Sequence, residues 1–396
     1  SRGDAAAAIA GARHVVEGRM EVGGQEHFYL EGQVAAAVPL EAGDMLVHSS
    51  TQHPTEVQHK VAHALHLPMT AVRVEVRRMG GGFGGKESQG NALAVACAVV
   101  AARLGRPASM RYDRDDDMVV TGKRHDLRIL YRAAADAHGL LLGVEFTHLL
   151  RCGWSQDLSL PVADRAMLHA DNCYFVPAMR VESHRLRTNT CSATAFRGFG
   201  GPQGMVGIER VMDHLAFAAG IDPLDLRRRN FYRGAGGRPG GLPPDPRGIS
   251  AKMKGPDPGA VPPTVGDTVD LTSRGAPAPR PAAEAPRPPP GAQTTHYGMP
   301  VEDFIGHEIV AALEARADLA RRRAAIAAWN AGSPILKRGI ALTPVKFGIS
   351  FTLTWLNQAG ALVHVYQDGS VMLNHGGTEM GQGLNIKIAQ IVANAF

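Results

Sequence analysis

The residues Met79-Gly80-Gly81-Gly82-Phe83-Gly84-Gly85-Lys86-Glu87 put five glycines into six positions. Backbone without side chains lets a ligand approach closely. A helix that follows such a loop adds free N–H groups and a positive dipole end, which suit an anion. Read literally, Gly80, Gly82 and Gly85 spell a dinucleotide fingerprint. The acidic partner wanted about 20 residues further on is missing, because the next carboxylate after Glu87 is Asp113. Lys86 is followed by Glu87 and not by Ser or Thr, which excludes a phosphate-binding P-loop. Two more loops share the texture: Thr194-Ala195-Phe196-Arg197-Gly198-Phe199-Gly200-Gly201-Pro202-Gln203, and His375-Gly376-Gly377-Thr378-Glu379-Met380-Gly381-Gln382-Gly383. Three glycine loops that feed helices imply several backbone surfaces converging on one polyanionic cofactor.

The elements that must hold these loops are readable from periodicity. Val72–Val76 alternates like a strand and leads into the first loop. Residues 88–104, with Leu93, Val95, Ala96, Val99, Val100 and Leu104, are expected as a helix closed by Gly105. Met205–Ala219 carries Ile208, Val211, Met212 and Leu215 on one helical face. Beyond residue 294 a helical stretch runs through Trp329. A hairpin over Gly360–Leu373 then turns at Asp368-Gly369. The mixture predicts an α+β architecture in three parts. Residues 1–232 form a first region, 233–293 a linker or insert, and 294–396 the start of a second region.

Composition narrows the class. Of 396 residues, 44% are apolar and 20% charged, as in a globular protein, and no run reaches the ~20 apolar residues of a membrane span. Cys97, Cys152, Cys173 and Cys191 lie far apart with no C-x-x-C pair, which reads as reduced cytosolic thiols. Fifteen of the 26 prolines fall in 233–293, predicting a disordered or polyproline linker. Eight basic and five acidic residues there carry +3 of the net +5, so the charge does not argue for nucleic acid. The chain starts without methionine or a targeting signal and stops within an apolar helical pattern (Ile388, Ile391, Val392, Phe396), so both ends are expected to be cut.

Longer motifs carry a resemblance. They are His27–Glu31, Ser50-Thr51-Gln52, Arg78–Glu87, Asp171-Asn172-Cys173-Tyr174, Phe196–Gln203, Lys346–Thr352, Leu356–Leu362 and Gly376–Gly383. In this order they resemble the molybdenum-binding subunit of the xanthine oxidase family, its bacterial xanthine dehydrogenases in particular, over 1–232 and 294–396. The resemblance implies molybdopterin-binding domains and a metal held by the cofactor's dithiolene, with no direct protein ligand. It implies that Gln52 bonds an oxygen ligand of molybdenum, that Phe83, Gly84 and Arg197 cradle that face, and that Gly381 and Gln382 hold the pterin. Phe199 and Phe351 would sandwich a heterocycle and Thr352 would donate to it. Glu87 would bond the purine ring, and Arg165 would stabilise charge on the purine oxygen. Taken alone, Gln52 reads as a surface amide, Arg165 as half of an ion pair with Asp164, and each phenylalanine as core.

The implied activity is hydroxylation of hypoxanthine and xanthine to urate with oxygen from water. Electrons would pass to iron–sulfur centres, FAD and NAD, the first two carried by a partner subunit. The implied enzyme is a cytoplasmic homodimer of heterodimers, without nucleic-acid or membrane partners. The family's general-base glutamate lies in a Gly-Glu-Pro-Pro motif, and no such motif occurs in these residues. The chain is thus expected to be an incomplete fragment, inactive alone. The other readings are a non-catalytic truncated remnant, an aldehyde-type molybdenum hydroxylase, and a nicotinamide-dependent dehydrogenase built on residues 80–85.

Overall fold

The computed structural model describes residues 1–233, 293–349, 351–352 and 359–396. The expected linker and the motif residues Leu356, Asn357 and Gln358 therefore lie essentially outside the described residues. In chain order the elements begin with α1 (Ala5–Ala10), β1 (His14–Val22), β2 (Val34–Pro39), β3 (Met45–Ser49) and α2 (Pro54–Leu65). Next come β4 (Val72–Glu75), α3 (Asn91–Leu104), β5 (Ala108–Arg111), α4 (Arg114–Val120) and β6 (Leu127–Ala135). They continue with β7 (Leu141–Gly153), α5 (Ser159–Leu168), β8 (Ala178–Arg187), α6 (Gly201–Ala219) and α7 (Pro223–Asn230). The remainder is α8 (Gly306–Ala317), α9 (Leu319–Gly332), β9 (Ala361–Val365), β10 (Val371–His375) and α10 (Leu384–Ala393). The architecture is α+β.

Two compact units result: one of Ser1–Asn230 with Val345–Phe396, the other of Phe231–Pro344. The first unit holds a sheet ordered β1-β6-β7-β8 and another ordered β4-β3-β2-β5. Neighbours are antiparallel except β7 with β8 and β3 with β4. A parallel pair needs a crossover. Helix α2 supplies it between β3 and β4, and α5 between β7 and β8. Gln52 lies two residues before the first crossover helix and Arg165 rides on the second.

Helix α3 forms as expected and ends at Gly105 in the left-handed region. Its buried face is Leu93, Ala94, Cys97, Ala98 and Ala101, whereas Val99, Val100 and Leu104 are exposed. The helix is apolar nearly all round, so periodicity could not choose the face. Small side chains let it settle close to the sheet, on Ala35, Ala37 and Val47. Helix α6 buries Ile208, Val211, Met212 and Leu215 completely, as its pattern requires, and starts earlier than expected, at Gly201. The hairpin is β9 with β10, pairing Val365 with Val371. In the second unit, the helical stretch breaks at Asp318 (φ 49°) into α8 and α9, and Phe304 lies against Phe231 and Tyr232.

Candidate functional site

The first glycine loop leaves β4 and enters α3 with Gly81, Phe83 and Gly84 at positive φ. Its backbone is laced to Gln52, whose N–H donates to the Lys86 carbonyl (2.8 Å). The Gln52 Oε1 accepts from the N–H of Gly84 (2.9 Å) and of Lys86 (3.3 Å). With the amide oxygen committed to two donors, the NH₂ end remains as the group able to donate. A Cβ on Gly82 would stand 2.6 Å from that oxygen, and one on Gly84 would stand 2.9 Å from the Ala195 backbone. The loop is therefore glycine because it is pressed against its neighbours. Lys86, fully buried, bonds Glu31 (3.1 Å) and Ser50 (2.9 Å) and sits over the Tyr29 ring. It is an internal strut and offers nothing to an anion.

The second loop docks on the first. Arg197 N–H donates to the Phe83 carbonyl at 2.9 Å. Two residues not singled out in the sequence fix this joint. His27 donates from Nε2 to the Ala195 carbonyl (2.6 Å), and Arg124 donates to the Arg197 carbonyl (3.0 Å) while stacking on Phe196. His27 lies in a quoted motif, but nothing about Arg124 marks it as a clamp before folding. The third loop joins through Met79 N–H, which donates to the Glu379 carbonyl (2.9 Å). The convergence expected of the three glycine loops is thus present. Gly381 is at φ 107° with open space around it, while the Gln382 side chain is engaged within its own loop, with Met380 N–H and the Thr378 carbonyl. The Glu379 carboxylate accepts from Asn385, Gly381 and Gly383 N–H, Asn385 foremost in lowering its pKa. It therefore caps α10 with an anion of the chain's own.

Phe199, at φ 51°, is 9% exposed and packs on Val162 and Ala195. Its ring meets Phe351 at 4.8 Å between centroids and 42° between planes. A stacked guest needs two spacings of about 3.5 Å, so a heterocycle enters between these rings only when one moves. Arg165 is 5% exposed, donates to the Gly348 carbonyl (2.9 Å), and lies 6.0 Å from the Phe199 centroid and 5.1 Å from that of Phe347. It is no surface ion pair with Asp164, which pairs instead with Arg185. Desolvation lowers the Arg165 pKa. The Thr352 hydroxyl donates to the Pro161 carbonyl (3.1 Å), which leaves lone pairs to offer a ligand.

Glu87 stands beside His53 because the strands of chain before them are bonded at Gln52 and Lys86. Burial, and next the Asp157 carboxylate, push the Glu87 carboxyl up to about 7, against an opposing pull from His53. His53 itself is bonded to Glu56 (3.0 Å), which raises the imidazole pKa. A carboxyl at this value can donate a hydrogen bond at neutrality. Among the described residues no group of three or more His, Cys, Asp or Glu is placed to hold a metal ion, and no helix is long and apolar enough to cross a membrane.

A cramped backbone cradle, an amide with its NH₂ still to donate and a buried cation beside aromatic rings fit an oxygen-rich metal cofactor with a flat ligand next to it. Residues 1–231 match the molybdopterin cofactor-binding domain, and 312–396 match a second molybdopterin cofactor-binding domain. The chain belongs to this family of cofactor-holding domains. Xanthine dehydrogenase of Drosophila subobscura is 40% identical over 396 residues, covering 100% of this chain and 25% of that protein. The aldehyde oxidoreductase from Desulfovibrio gigas superposes with TM-score 0.55 at 33% identity, over 59% of this chain and 26% of that one. Quinoline 2-oxidoreductase from Pseudomonas putida shares the fold at TM-score 0.63 and 22% identity, over 84% of this chain and 36% of that one. The chain thus spans about a quarter of the length of the curated relatives it matches.

Proposed function

We propose that this chain is the molybdopterin-binding region of a xanthine dehydrogenase, with residues 1–232 as the first cofactor- and substrate-binding region and 294–396 as the start of the second. When bound, the molybdenum cofactor supplies two-electron oxidation with water as the oxygen source. Gln52 would donate from its NH₂ to the cofactor, and the backbone of Phe83, Gly84 and Arg197 would wall that face. Gly381 and Gln382 border the pterin. Phe199 and Phe351 grip the purine plane, with Thr352 at its edge. Arg165 faces the purine oxygen, where negative charge builds, and Glu87 donates to a ring nitrogen from its protonated form. Iron–sulfur centres and FAD belong to a partner subunit in a homodimer of heterodimers. The Gly-Glu-Pro-Pro motif that carries the family's general base does not occur in these residues, so turnover is not expected of them alone.

The observation that carries the reading is the buried Arg165 guanidinium against the Phe199–Phe351 pair. A purine oxygen needs this cation, and a simple aldehyde does not. The test is calorimetric binding of xanthine and of benzaldehyde to the cofactor-loaded chain. Arg165→Met is expected to weaken xanthine by about 10- to 100-fold, the worth of a charge-assisted hydrogen bond, while benzaldehyde is unaffected. Unchanged xanthine affinity would sink the purine assignment. The likeness to the aldehyde oxidoreductase favours an aldehyde-type pocket as the second reading. That reading requires benzaldehyde to bind the wild-type chain more tightly than xanthine does.

A further inference from the structure

We propose that His169 is a positioning residue: a neutral imidazole of one fixed tautomer that latches α5 to residues 345–349 and so sets where Phe351 stands against Phe199. This deepens the reading above and rests on Phe351 facing the substrate.

Residues 345–349 form neither helix nor strand, so side chains must hold them. Gly348 is gripped at both ends. Its N–H donates to His169 Nε2 at 3.0 Å, and its carbonyl accepts from Arg165 at 2.9 Å. The two arms stand four residues apart, on one face of the last turn of α5. The other His169 nitrogen, Nδ1, lies 3.0 Å from the Arg165 carbonyl. A carbonyl only accepts, so Nδ1 carries the proton. A backbone N–H only donates, so Nε2 must be bare. The two bonds therefore specify a single neutral tautomer. Around it, the Phe347 ring packs at 5.1 Å, and Lys346 N–H donates to Asn172 (3.0 Å). Gly201 leaves room: a Cβ there would stand 2.7 Å from Phe347.

A proton added to Nε2 would turn a donor toward the Gly348 N–H and open the latch. The surroundings resist that proton. His169 is 7% exposed, and Arg165 and Lys346 face it with positive charge, against the single carboxylate of Asp171. Its pKa is accordingly lowered, burial foremost. The latch is closed at neutral pH and opens only on acidification below the ordinary histidine range.

Three chains test this: wild type, His169→Leu, which loses both bonds, and His169→Gln, whose amide can accept from Gly348 and donate to Arg165. Long-range ¹H–¹⁵N correlation of the histidine-labelled 396-residue chain, with His169 assigned by its loss in His169→Gln, reads the tautomer. The expected signal is Nδ1-protonated, persisting below pH 6.5. An Nε2-protonated ring, or one titrating at 6.5 or above, overturns the latch. Trypsin cleavage after Lys346, followed by mass spectrometry, should be about tenfold faster in His169→Leu, as loss of two hydrogen bonds implies, and restored in His169→Gln. Equal rates in all three chains would also overturn it. Xanthine affinity should fall in His169→Leu and recover in His169→Gln. If the latch signals appear but affinity is the same in all three, positioning of Phe351 fails as the role. If the wild-type chain binds no xanthine, the purine reading fails, while the imidazole and cleavage results still decide the latch.

Discussion

A carboxyl pushed up to about 7 changes charge in a range where exposed carboxyls have long ionised. For Glu87 the causes are burial and then Asp157, and the sign follows from linkage. Between the ordinary glutamate value of 4.5 and about 7, the folded chain holds a proton that the unfolded chain has lost. Stability tied to Glu87 is therefore full below 4.5 and falls as pH rises through 7. At 1.36 kcal/mol per pK unit the loss is at most about 3 kcal/mol. Glu87→Gln keeps a neutral hydrogen-bonding group, so urea denaturation of the variant should lose this dependence and show higher stability than wild type at pH 8. An identical pH profile would place the strain elsewhere. At this scale the sequence was only partly legible. Glu87 was singled out by its place in the family motif, but its pKa was not legible, because Asp157 and Glu56 reach it through folding. Arg165 next to Asp164 looked like an exposed pair until the crossover helix turned it inward. Nothing in the spacing of Arg124 or His169 marks either as a clamp.

Helices α2 and α5 have their place because parallel strand pairs demand crossovers, and that topology brings Gln52 and Arg165 to the site. The strand before the first loop, α3, α6 and the β9–β10 hairpin were all legible from periodicity and turn residues. What periodicity missed is instructive in α3, where Ala94, Ala98 and Ala101 face the core while Val99 and Val100 are exposed. Close approach there outweighs side-chain size. In α6 size and burial agree, and Leu215→Ala should cost about 2–5 kcal/mol in denaturant unfolding. Gly84 tests the loop joint. Alanine there must adopt φ 95° and press on the Ala195 backbone, a strain of about 1–3 kcal/mol. The same melts should show Gly84→Ala destabilised, and cofactor retention should fall with it as the first two loops part.

On the scale of the whole molecule, the chain leaves the described residues at Arg233 and returns at Gln293, and these two ends are bonded to each other, Arg233 N–H to the Gln293 side chain at 2.7 Å. Residues 234–292 therefore depart and re-enter at one place. Replacing them by a short Gly-Ser link should leave the unfolding midpoint unchanged or raise it, since a shorter closed loop costs less entropy. A large drop would mean that the segment contributes contacts of its own. The same segment holds seven basic and five acidic residues, +2 of the net +5, so the replacement should also lower the isoelectric point. The discontinuous first unit, in which Val345–Phe396 joins Ser1–Asn230, was not legible, because no local signal tells a late segment which early one it will meet. The central claim is that the Gln52 cradle holds molybdopterin. Its most direct test is molybdenum and pterin content of the purified chain from a host that makes the cofactor. Wild type and Arg165→Met should both retain metal and pterin, and Gln52→Ala should lose most of it. A wild-type chain with neither metal nor pterin would contradict the account.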